Sequence, residues 1–289
     1  MEPLNIAYKN RELSLQSPVV MGIVNLTTDS FYEGSRSNSL SNTLKIVESM
    51  IADGVSIVDL GAQSSRPGAT LFSPEHEIEK LIPTIEKINA YFPEVWVSVD
   101  TFYASVAEAS IASGAHIIND ISAGEYNPEM LQIVGKYGTP YIAMHKKGDP
   151  QTMQNNPQYE NIIEEVFQYF KEKEVLFQQC DIAQWILDVG YGFGKTVEHN
   201  YQLLNHSEKF LSLKKPILTG ISRKSMIYKP LNIKPEEALN GTTALHMAAL
   251  NKGTHILRVH DVKAAMECIK LHLLLKNNSC IDYFDGVKD

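Results

Sequence analysis

Polar side chains stand at the points where short apolar runs of this chain end. They are acids, amides and bases with complementary hydrogen-bonding types, namely Asn25, Asp59, Asp100, Asn119, Asp120, His145, Asp188, Arg258 and His260, with the segment 220–225 (GISRKS) after the seventh run. Any one of them is explained by a helix cap or a turn, where Asp and Asn are common. Polar side chains at all eight ends indicate a binding or catalytic site.

Two kinds of chemistry are represented in this set. Asp100, Asp188 and Asn119 suit the edge of a flat heterocycle such as a pterin or a guanine-like ring, because a carboxylate can accept paired N–H donors bidentately. The side chains that could donate to phosphate oxygens or a ring carbonyl are Ser222, Lys224, Ser225, Arg258 and His260. The sequence therefore predicts a site that recognises a ring and also binds an anion or a carbonyl group.

The apolar runs alternate with segments of helical spacing. Eight runs are predicted to be strands, at residues 19–24, 55–60, 95–99, 116–118, 140–144, 185–187, 216–218 and 255–259. Helical spacing follows them at 40–52, 75–90, 103–112, 129–136, 159–178, 198–210, 235–250 and 262–275. Because the runs are apolar at consecutive positions, both faces should be buried, as in a parallel sheet wrapped by helices. We predict an α/β fold, a single (β/α)8 TIM barrel, with an open doubly wound sheet as the alternative.

One domain is predicted over residues 1–289, because no Pro-, Gly- or Ser-rich linker divides the chain. In a barrel of this type the active site lies at the carboxyl ends of the strands. Residues 4–16 precede the first barrel strand and are predicted to form a short N-terminal hairpin that closes the barrel floor. Residues 276–289 are predicted to be a polar tail.

The net charge of −8, from 26 basic and 34 acidic residues, argues against a broad polyanion-binding surface. No nucleic-acid partner is therefore expected. Basic residues nonetheless concentrate at strand ends and in the loops after them. We predict a cationic mouth formed by Arg66, Lys195, Arg223, Lys224, Arg258 and His260.

The sequence predicts a cytoplasmic protein without a membrane partner. No run approaches the roughly 18 apolar residues of a spanning helix, and residues 1–16 contain no apolar core of signal-peptide type. Cys180, Cys268 and Cys280 lack Cys-x-x-Cys spacing. Neither a disulfide framework nor a zinc knuckle is expected from them.

Seven ordered motifs resemble those of the dihydropteroate synthases, a family of pterin-binding TIM barrels. They are MGIVNLTTDSF at 21–31, DLGAQSSRPGA at 59–69, NDIS at 119–122, MH at 144–145 with TMQ at 152–154, DVGYGFGKT at 188–196, SRKSMI at 222–227 and RVHDV at 258–262. Together they span most of the chain. The resemblance implies a single barrel, a homodimer and a transferase of folate biosynthesis.

The reaction implied by this resemblance joins 4-aminobenzoate to (7,8-dihydropterin-6-yl)methyl diphosphate. It forms 7,8-dihydropteroate, releases diphosphate and uses Mg²⁺ as cofactor. Sulfonamide drugs mimic the aminobenzoate in this family. We expect the first loop, residues 26–36, and the second loop, residues 62–70, to close over the substrates and exclude water.

The family's site residues carry over onto the matching positions of this chain. Asn25 matches the magnesium-linked Asn. The positions around the pterin ring are Asp100, Asn119, Asp188 and Lys224, those around the diphosphate are Ser65, Arg258 and His260, and those around the aminobenzoate are Arg66, Pro67, Phe193, Lys224 and Ser225. Met144 and Gly192 are further predicted substrate contacts. Asp100, Asp188 and Lys224 are predicted to be catalytic.

Several departures from the family pattern, two of them in the second loop, and two alternative functions stand beside this prediction. Gln63 replaces a frequent Glu, and Ser65 replaces a frequent Thr while keeping the hydroxyl. One alternative is a methyltetrahydrofolate–corrinoid methyltransferase, which needs no diphosphate or aminobenzoate site, so the segments 64–69, 222–225 and 258–262 argue against it. The other is a catalytically silent pterin-binding protein.

Overall fold

A closed barrel stands on a small antiparallel hairpin in the computed structural model, which describes residues 4–26, 33–63, 71–148 and 157–278, with the backbone only for 33–39. The hairpin pairs β1 (Asn5–Tyr8) with β2 (Arg11–Ser14). Ile6, Tyr8 and Leu15 pack against inward-facing side chains of the barrel strands. The hairpin therefore covers the barrel floor, as predicted.

Eight parallel strands form the barrel. They are β3 (Val19–Asn25), β4 (Ile57–Gly61), β5 (Trp96–Asp100), β6 (Ile117–Asp120), β7 (Tyr141–Met144), β8 (Trp185–Asp188), β9 (Ile217–Thr219) and β10 (Ile256–Val259). Each strand pairs with its neighbour in chain order, and β10 pairs with β3 to close the ring. This closure confirms the predicted (β/α)8 barrel and excludes the open doubly wound sheet.

Helices follow the strands around the outside of the barrel. They are α1 (Glu33–Ala52), α2 (Pro74–Tyr91), α3 (Ala104–Ala112), α4 (Glu129–Tyr137), α5 (Ile162–Gln179), α6 (Val197–Asn205), α7 (Ser225–Leu231), α8 (Leu239–Asn251) and α9 (Val262–Asn277). Two 3₁₀ turns, Ser207–Leu213 and Pro235–Glu237, lie before β9 and α8. Within the described part of the chain, no helix is long and apolar enough to cross a membrane.

The alternation of side chains along each strand decides what fills the barrel. The inward-facing side chains that pack on the hairpin are apolar: Met21, Ile57, Trp96, Ile117, Ile142, Ile186, Leu218 and Ile256. The next inward position on each strand is two residues further on. These positions, which we call the second interior layer, are Ile23, Asp59, Ser98, Asn119, Met144, Asp188, Gly220 and Arg258. The barrel interior thus changes from apolar to largely polar toward its carboxyl end.

Several element boundaries differ from the sequence-based prediction, and three differences concern the loops of the site and the carboxyl end of the chain. The helix α1 begins at Glu33, within the predicted first loop 26–36, of which residues 27–32 lie outside the described residues. The SRKSMI segment contains α7, whose seven residues are too few for helical periodicity to stand out. The helix α9 continues through Asn277 and includes the predicted start of the polar tail, whereas residues 279–289 lie outside the described residues.

Candidate active site

Five predicted site residues come together at the carboxyl end of the barrel. Asn119, Met144 and Asp188 belong to the second interior layer and are only 4%, 3% and 6% exposed. Arg258 is partly exposed in the same layer. Asp100, the last residue of β5, is the next inward position above this layer, and 22% of its side chain is accessible to solvent. The barrel therefore places two acids, an amide and a guanidinium around one cleft.

The guanidinium of Arg258 lies between two acids. Its Nε donates to Asp59 Oδ2 and its Nη2 to Asp100 Oδ2, each at 2.7 Å. Burial by itself lowers the pKa of Arg258, but the carboxylates of Asp59 and Asp100 outweigh that effect and raise the pKa. Arg258 therefore stays charged and offsets the negative charge of Asp59 and Asp100. Its contact with the diphosphate remains a prediction.

The two acids predicted to be catalytic are desolvated, and each has a cation nearby. Burial raises the pKa of Asp100 to about 7 in spite of the opposing charge of Arg258. Burial also raises the pKa of Asp188, and the ammonium of Lys224 is the main opposing influence. Carboxyl groups with raised pKa values in a cleft, each beside a specific charge partner, are typical of functional sites.

A buried lysine holds the loop that follows β8. Lys195 Nζ donates to the backbone oxygens of Gly190 and Phe193, each at 3.0 Å, and of His145 at 3.2 Å. Lys195 Nζ also lies 3.0 Å from His145 Nδ1, and only 3% of Lys195 is exposed to solvent. The loop then passes into α6, which Thr196 caps with its hydroxyl. The prediction that Lys195 contributes to a cationic mouth was wrong, because backbone carbonyls enclose its ammonium.

Lys224 is the N-cap residue of α7, and its side chain reaches the loop after β8. Its Nζ donates to the backbone oxygen of Tyr191 at 2.6 Å and lies 4.7 Å from the centre of the Phe193 ring. Gly192, in the same loop, has a φ of +83°, a backbone conformation that favours glycine. Burial lowers the pKa of Lys224 to about 8, against the raising effect of Asp188. Lys224, Phe193 and Asp188 thus lie on one side of the mouth.

His260 and Arg223, which were also predicted to give the mouth positive charge, differ in their surroundings. His260 Nδ1 lies 3.2 Å from Ser222 Oγ, and burial, then the charge of Arg258, lower the pKa of its imidazole. His260 is therefore neutral at pH 7 and offers one N–H donor. Arg223 instead donates to both carboxylate oxygens of Asp261, each at 2.8 Å. The prediction that Arg223 adds free positive charge to the mouth was wrong.

An apolar cluster lies beside these polar groups. Phe102, Ile121 and Met144 are buried against one another, and Tyr103 and Phe193 pack on them. Such a surface can contact the face of a flat ring while polar side chains bind its edge. Phe102 and Ile121 were missed by the sequence analysis. Each comes two residues after a predicted site residue, Asp100 and Asn119 respectively, so the period-two pattern of the strands could have found them.

Other predicted residues lie at the rim or outside the description. Ser65, Arg66 and Pro67 are outside the described residues. Ser225 is the first residue of α7, directly after Lys224. The substrate contacts predicted for these four residues stay predictions.

Asn25, the residue predicted to bind magnesium, lies at the rim of the barrel. Asn25 ends β3 with an exposed side chain, and a Cβ added to Gly61 would lie 3.9 Å from Asn25 Oδ1 and 3.8 Å from Asp100 Cβ. No cluster of three or more His, Cys, Asp or Glu side chains in the described ranges could hold a metal ion. One amide oxygen fits Mg²⁺ nonetheless, because this ion usually keeps several waters and binds substrate phosphates.

Comparisons with known proteins identify the family to which the chain belongs. Residues 21–260 match the family described as pterin binding enzyme. The chain is 44% identical to the dihydropteroate synthase of Escherichia coli K12 over 261 residues, which cover 90% of this chain and 92% of that protein. It is 38% identical to the Haemophilus influenzae synthase over 264 residues, with 91% and 95% covered.

Similar solved structures belong to the same family. The crystal structure of Yersinia pestis dihydropteroate synthase in a complex with a sulfonamide drug is similar, with a TM-score of 0.88, 36% identity and coverage of 95% of this chain and 99% of that chain. The Xanthomonas albilineans synthase with 4-aminobenzoic acid has a TM-score of 0.85, 34% identity and coverage of 92% and 96%. This chain belongs to the dihydropteroate synthase family of pterin-binding enzymes.

Proposed function

We propose that this chain condenses (7,8-dihydropterin-6-yl)methyl diphosphate with 4-aminobenzoate to give 7,8-dihydropteroate and diphosphate. The observation that carries the proposal is the convergence of Asp100, Asn119 and Asp188 beside Arg258 and Lys224. Acceptors for the N–H groups of a pterin edge thus lie next to cations at one end of the barrel. The similarity to dihydropteroate synthases supports the same reaction.

The reaction begins with cleavage of the C–O bond between the pterin methylene and the diphosphate, which leaves with the bonding electron pair. Positive charge then develops on the methylene and spreads into the electron-rich dihydropterin. The carboxylates of Asp100 and Asp188 supply negative potential beside that cation, which favours the transition state over the neutral ground state. The aromatic amine forms the new C–N bond and loses a proton to solvent.

Departure of the diphosphate needs positive charge and hydrogen-bond donors on the other side of the methylene. Arg258 is charged, and neutral His260 can donate one N–H to an oxygen of the leaving group. Mg²⁺ held by Asn25 and the substrate phosphates would offset further negative charge. Lys224, which faces Asp188, orients the ring of the pterin, and its charge lowers the pKa of that carboxyl group against the effect of burial.

A coupled pyrophosphate-release assay with the purified chain, Mg²⁺ and both substrates tests the overall reaction. We expect release that requires the pterin diphosphate and 4-aminobenzoate together, and its absence would overturn the proposal. Calorimetry separates the silent-binder alternative, because a silent protein binds the pterin diphosphate and releases no pyrophosphate when the amine is added.

Asp100→Asn tests the role of the carboxylate. The substitution keeps size and hydrogen bonding but removes the charge, so kcat is expected to fall about 100-fold while pterin affinity changes only a few-fold. Asp181→Asn, at an exposed position after α5, is the matched control and should leave both quantities unchanged. Full turnover by Asp100→Asn would remove the cation-stabilising role.

Sulfonamide binding is a further part of the proposal. The Yersinia pestis relative was crystallised with a sulfonamide drug, and the Xanthomonas albilineans relative with 4-aminobenzoic acid. In this chain Phe193, whose ring lies beside Lys224, offers an aromatic surface to such a ring. We expect sulfamethoxazole to inhibit competitively against 4-aminobenzoate. Inhibition that the amine does not relieve would contradict a shared site.

We also propose a cytoplasmic homodimer assembled through the late helices. Support comes from α9, where Leu271, Leu274 and Leu275 are 57–63% exposed at helical spacing in the described structure. Cys180 and Cys268 are free thiols, as is usual in a reducing compartment. Sedimentation at micromolar concentration should find a dimer, and a monomer would remove this part of the proposal.

A further inference from the structure

We propose that Asp59 is a positioning residue that orients Asn119 and Arg258 for pterin binding. The inference rests on the proposed ring site. Asp59 stands in the second interior layer, beneath the mouth, and is fully buried. Its position at the end of an apolar run is also that of an ordinary turn former, so its role depends on what its carboxylate contacts.

One oxygen of this carboxylate serves two site residues. Asp59 Oδ2 accepts from Arg258 Nε at 2.7 Å and from Asn119 Nδ2 at 3.0 Å. The two donors come from β10 and β6, which lie on either side of β4 in the barrel. A buried acceptor with two donors fixes both side chains at once, and removing it would leave both donors unpaired in a desolvated place.

The first consequence concerns the orientation of the Asn119 amide. A carboxylate accepts hydrogen bonds, so the atom of Asn119 that faces Asp59 must be the NH₂ group. The planar amide then carries Oδ1 on its other side, away from Asp59. Asn119 therefore presents an acceptor to the mouth, as Asp100 and Asp188 do, and the three acceptors suit the N–H donors of an aminopyrimidinone edge.

The second consequence concerns the hydrogen bonding between Arg258 and Asp100. With Nε held by Asp59, Arg258 gives Asp100 a single bond, from Nη2 to Oδ2 at 2.7 Å. Without Asp59, the same guanidinium could turn and bind both oxygens of Asp100, which is the preferred arrangement of such a pair. Asp59 thus leaves the other oxygen of Asp100 for the ligand and preserves its negative potential for the developing cation.

The test compares substitutions at Asp59 with a matched change in the same layer. Asp59→Ala removes both hydrogen bonds, and Asp59→Asn keeps an acceptor oxygen but no charge. Ser98→Ala is the control, because Ser98 pairs in register with Asp59 and its buried hydroxyl has no hydrogen-bond partner within the described structure. Calorimetry with 6-hydroxymethylpterin, which cannot react, gives the Kd and the fraction of competent sites, and the pyrophosphate assay gives kcat and KM.

We expect Asp59→Ala to raise the Kd about 30-fold with unchanged stoichiometry, Asp59→Asn to raise it less, and Ser98→Ala to leave it within twofold. A merely structural role would lower the stoichiometry and leave the Kd of the remaining sites unchanged, and that result would overturn the inference. Should Asp59→Ala fail to fold, Asp59→Asn decides, because a wild-type Kd and kcat in that variant would also contradict a charged positioning role.

A double-substitution cycle tests whether Asp59 acts through Asn119. In an Asn119→Ala background, Asp59→Ala should raise the Kd much less than in the wild type, because one of its targets is already absent. Fully additive effects would overturn the coupling. If the wild type binds pterin but shows no turnover, the proposed reaction fails, whereas normal wild-type turnover with unchanged Asp59 variants removes this inference only.

Discussion

The side-chain amide of Gln63 binds both backbone polar groups of Phe72. Its Oε1 accepts from Phe72 N at 3.0 Å and its Nε2 donates to Phe72 O at 2.8 Å. The same Nε2 donates at 2.7 Å to Glu77 Oε1, and the other oxygen of Glu77 accepts from the Thr101 hydroxyl at 2.9 Å. One amide therefore joins the two ends of segment 64–71, which contains the SSRPG motif, and pairs with a buried carboxyl group. An ionised carboxylate could not make the two donor contacts.

Gln63→Glu is expected to destabilise the protein by about 1–3 kcal/mol, and by more at pH 8 than at pH 5. Burial raises the pKa of Glu77, so its contribution to stability is present at low pH and is lost as pH rises through the folded-state pKa. A second carboxyl beside it enlarges that loss. Urea unfolding at both pH values is the measurement. Gln63→Met adds no charge but removes the hydrogen bond that lowers the pKa of Glu77, so its cost relative to the wild type should rise less with pH than that of Gln63→Glu. A pH-independent cost for Gln63→Glu would contradict the account.

Lys195→Met should cost about 2–4 kcal/mol of unfolding free energy, because the backbone oxygens of His145, Gly190 and Phe193 would lose a buried donor. The loop carrying Phe193 should also shift, raising the KM for aminobenzoate. Lys146→Met is the matched control, since Lys146 makes one exposed contact with Gly148 O, and it should change stability by less than about 0.5 kcal/mol. Equal effects of the two substitutions would show that the enclosed ammonium has no special role.

Deprotonation of Lys224 predicts an alkaline limb in the rate profile. Burial lowers the pKa of Lys224 to about 8, so kcat/KM for the pterin substrate should fall as pH rises through that value. Unfolding does not explain such a fall, because a lowered lysine pKa makes the folded state more stable as pH rises from about 8. Lys224→Arg, whose guanidinium stays charged, should show lower activity without the alkaline limb. A wild-type limb retained in that variant would assign it to another group.

Gly190→Ala should abolish folding or activity. Gly190 has a φ of +69°, and an added Cβ would lie 1.9 Å from the backbone oxygen of His145, so the loop could not keep its path. Gly138→Ala is the control: its φ is +61° but no atom lies within 4 Å, so only the backbone strain of about 1 kcal/mol applies. Urea unfolding and pyrophosphate release measure both variants, and similar results for the two would show that the contact with His145 O is not limiting.

Local sequence patterns determined the architecture. Each strand is a short apolar run buried on both faces, and each polar residue that ends a run lies at the carboxyl end of a parallel strand. Asp100, Asn119 and Asp188 could therefore be assigned to one site from the sequence, because parallel strands in a barrel end on the same side. The motifs identified the family for the same reason: they lie at those strand ends and in the loops that follow them.

Only the tertiary structure decided which charges meet. Arg258 is 199 positions from Asp59 in the chain, and no spacing rule predicts that β10 would bring its guanidinium between Asp59 and Asp100. Lys195 has the sequence context of a mouth cation, yet carbonyls from two loops enclose it. A residue's type and local pattern determine the chemistry it can perform, whereas burial and partners depend on strands that meet only when the barrel closes.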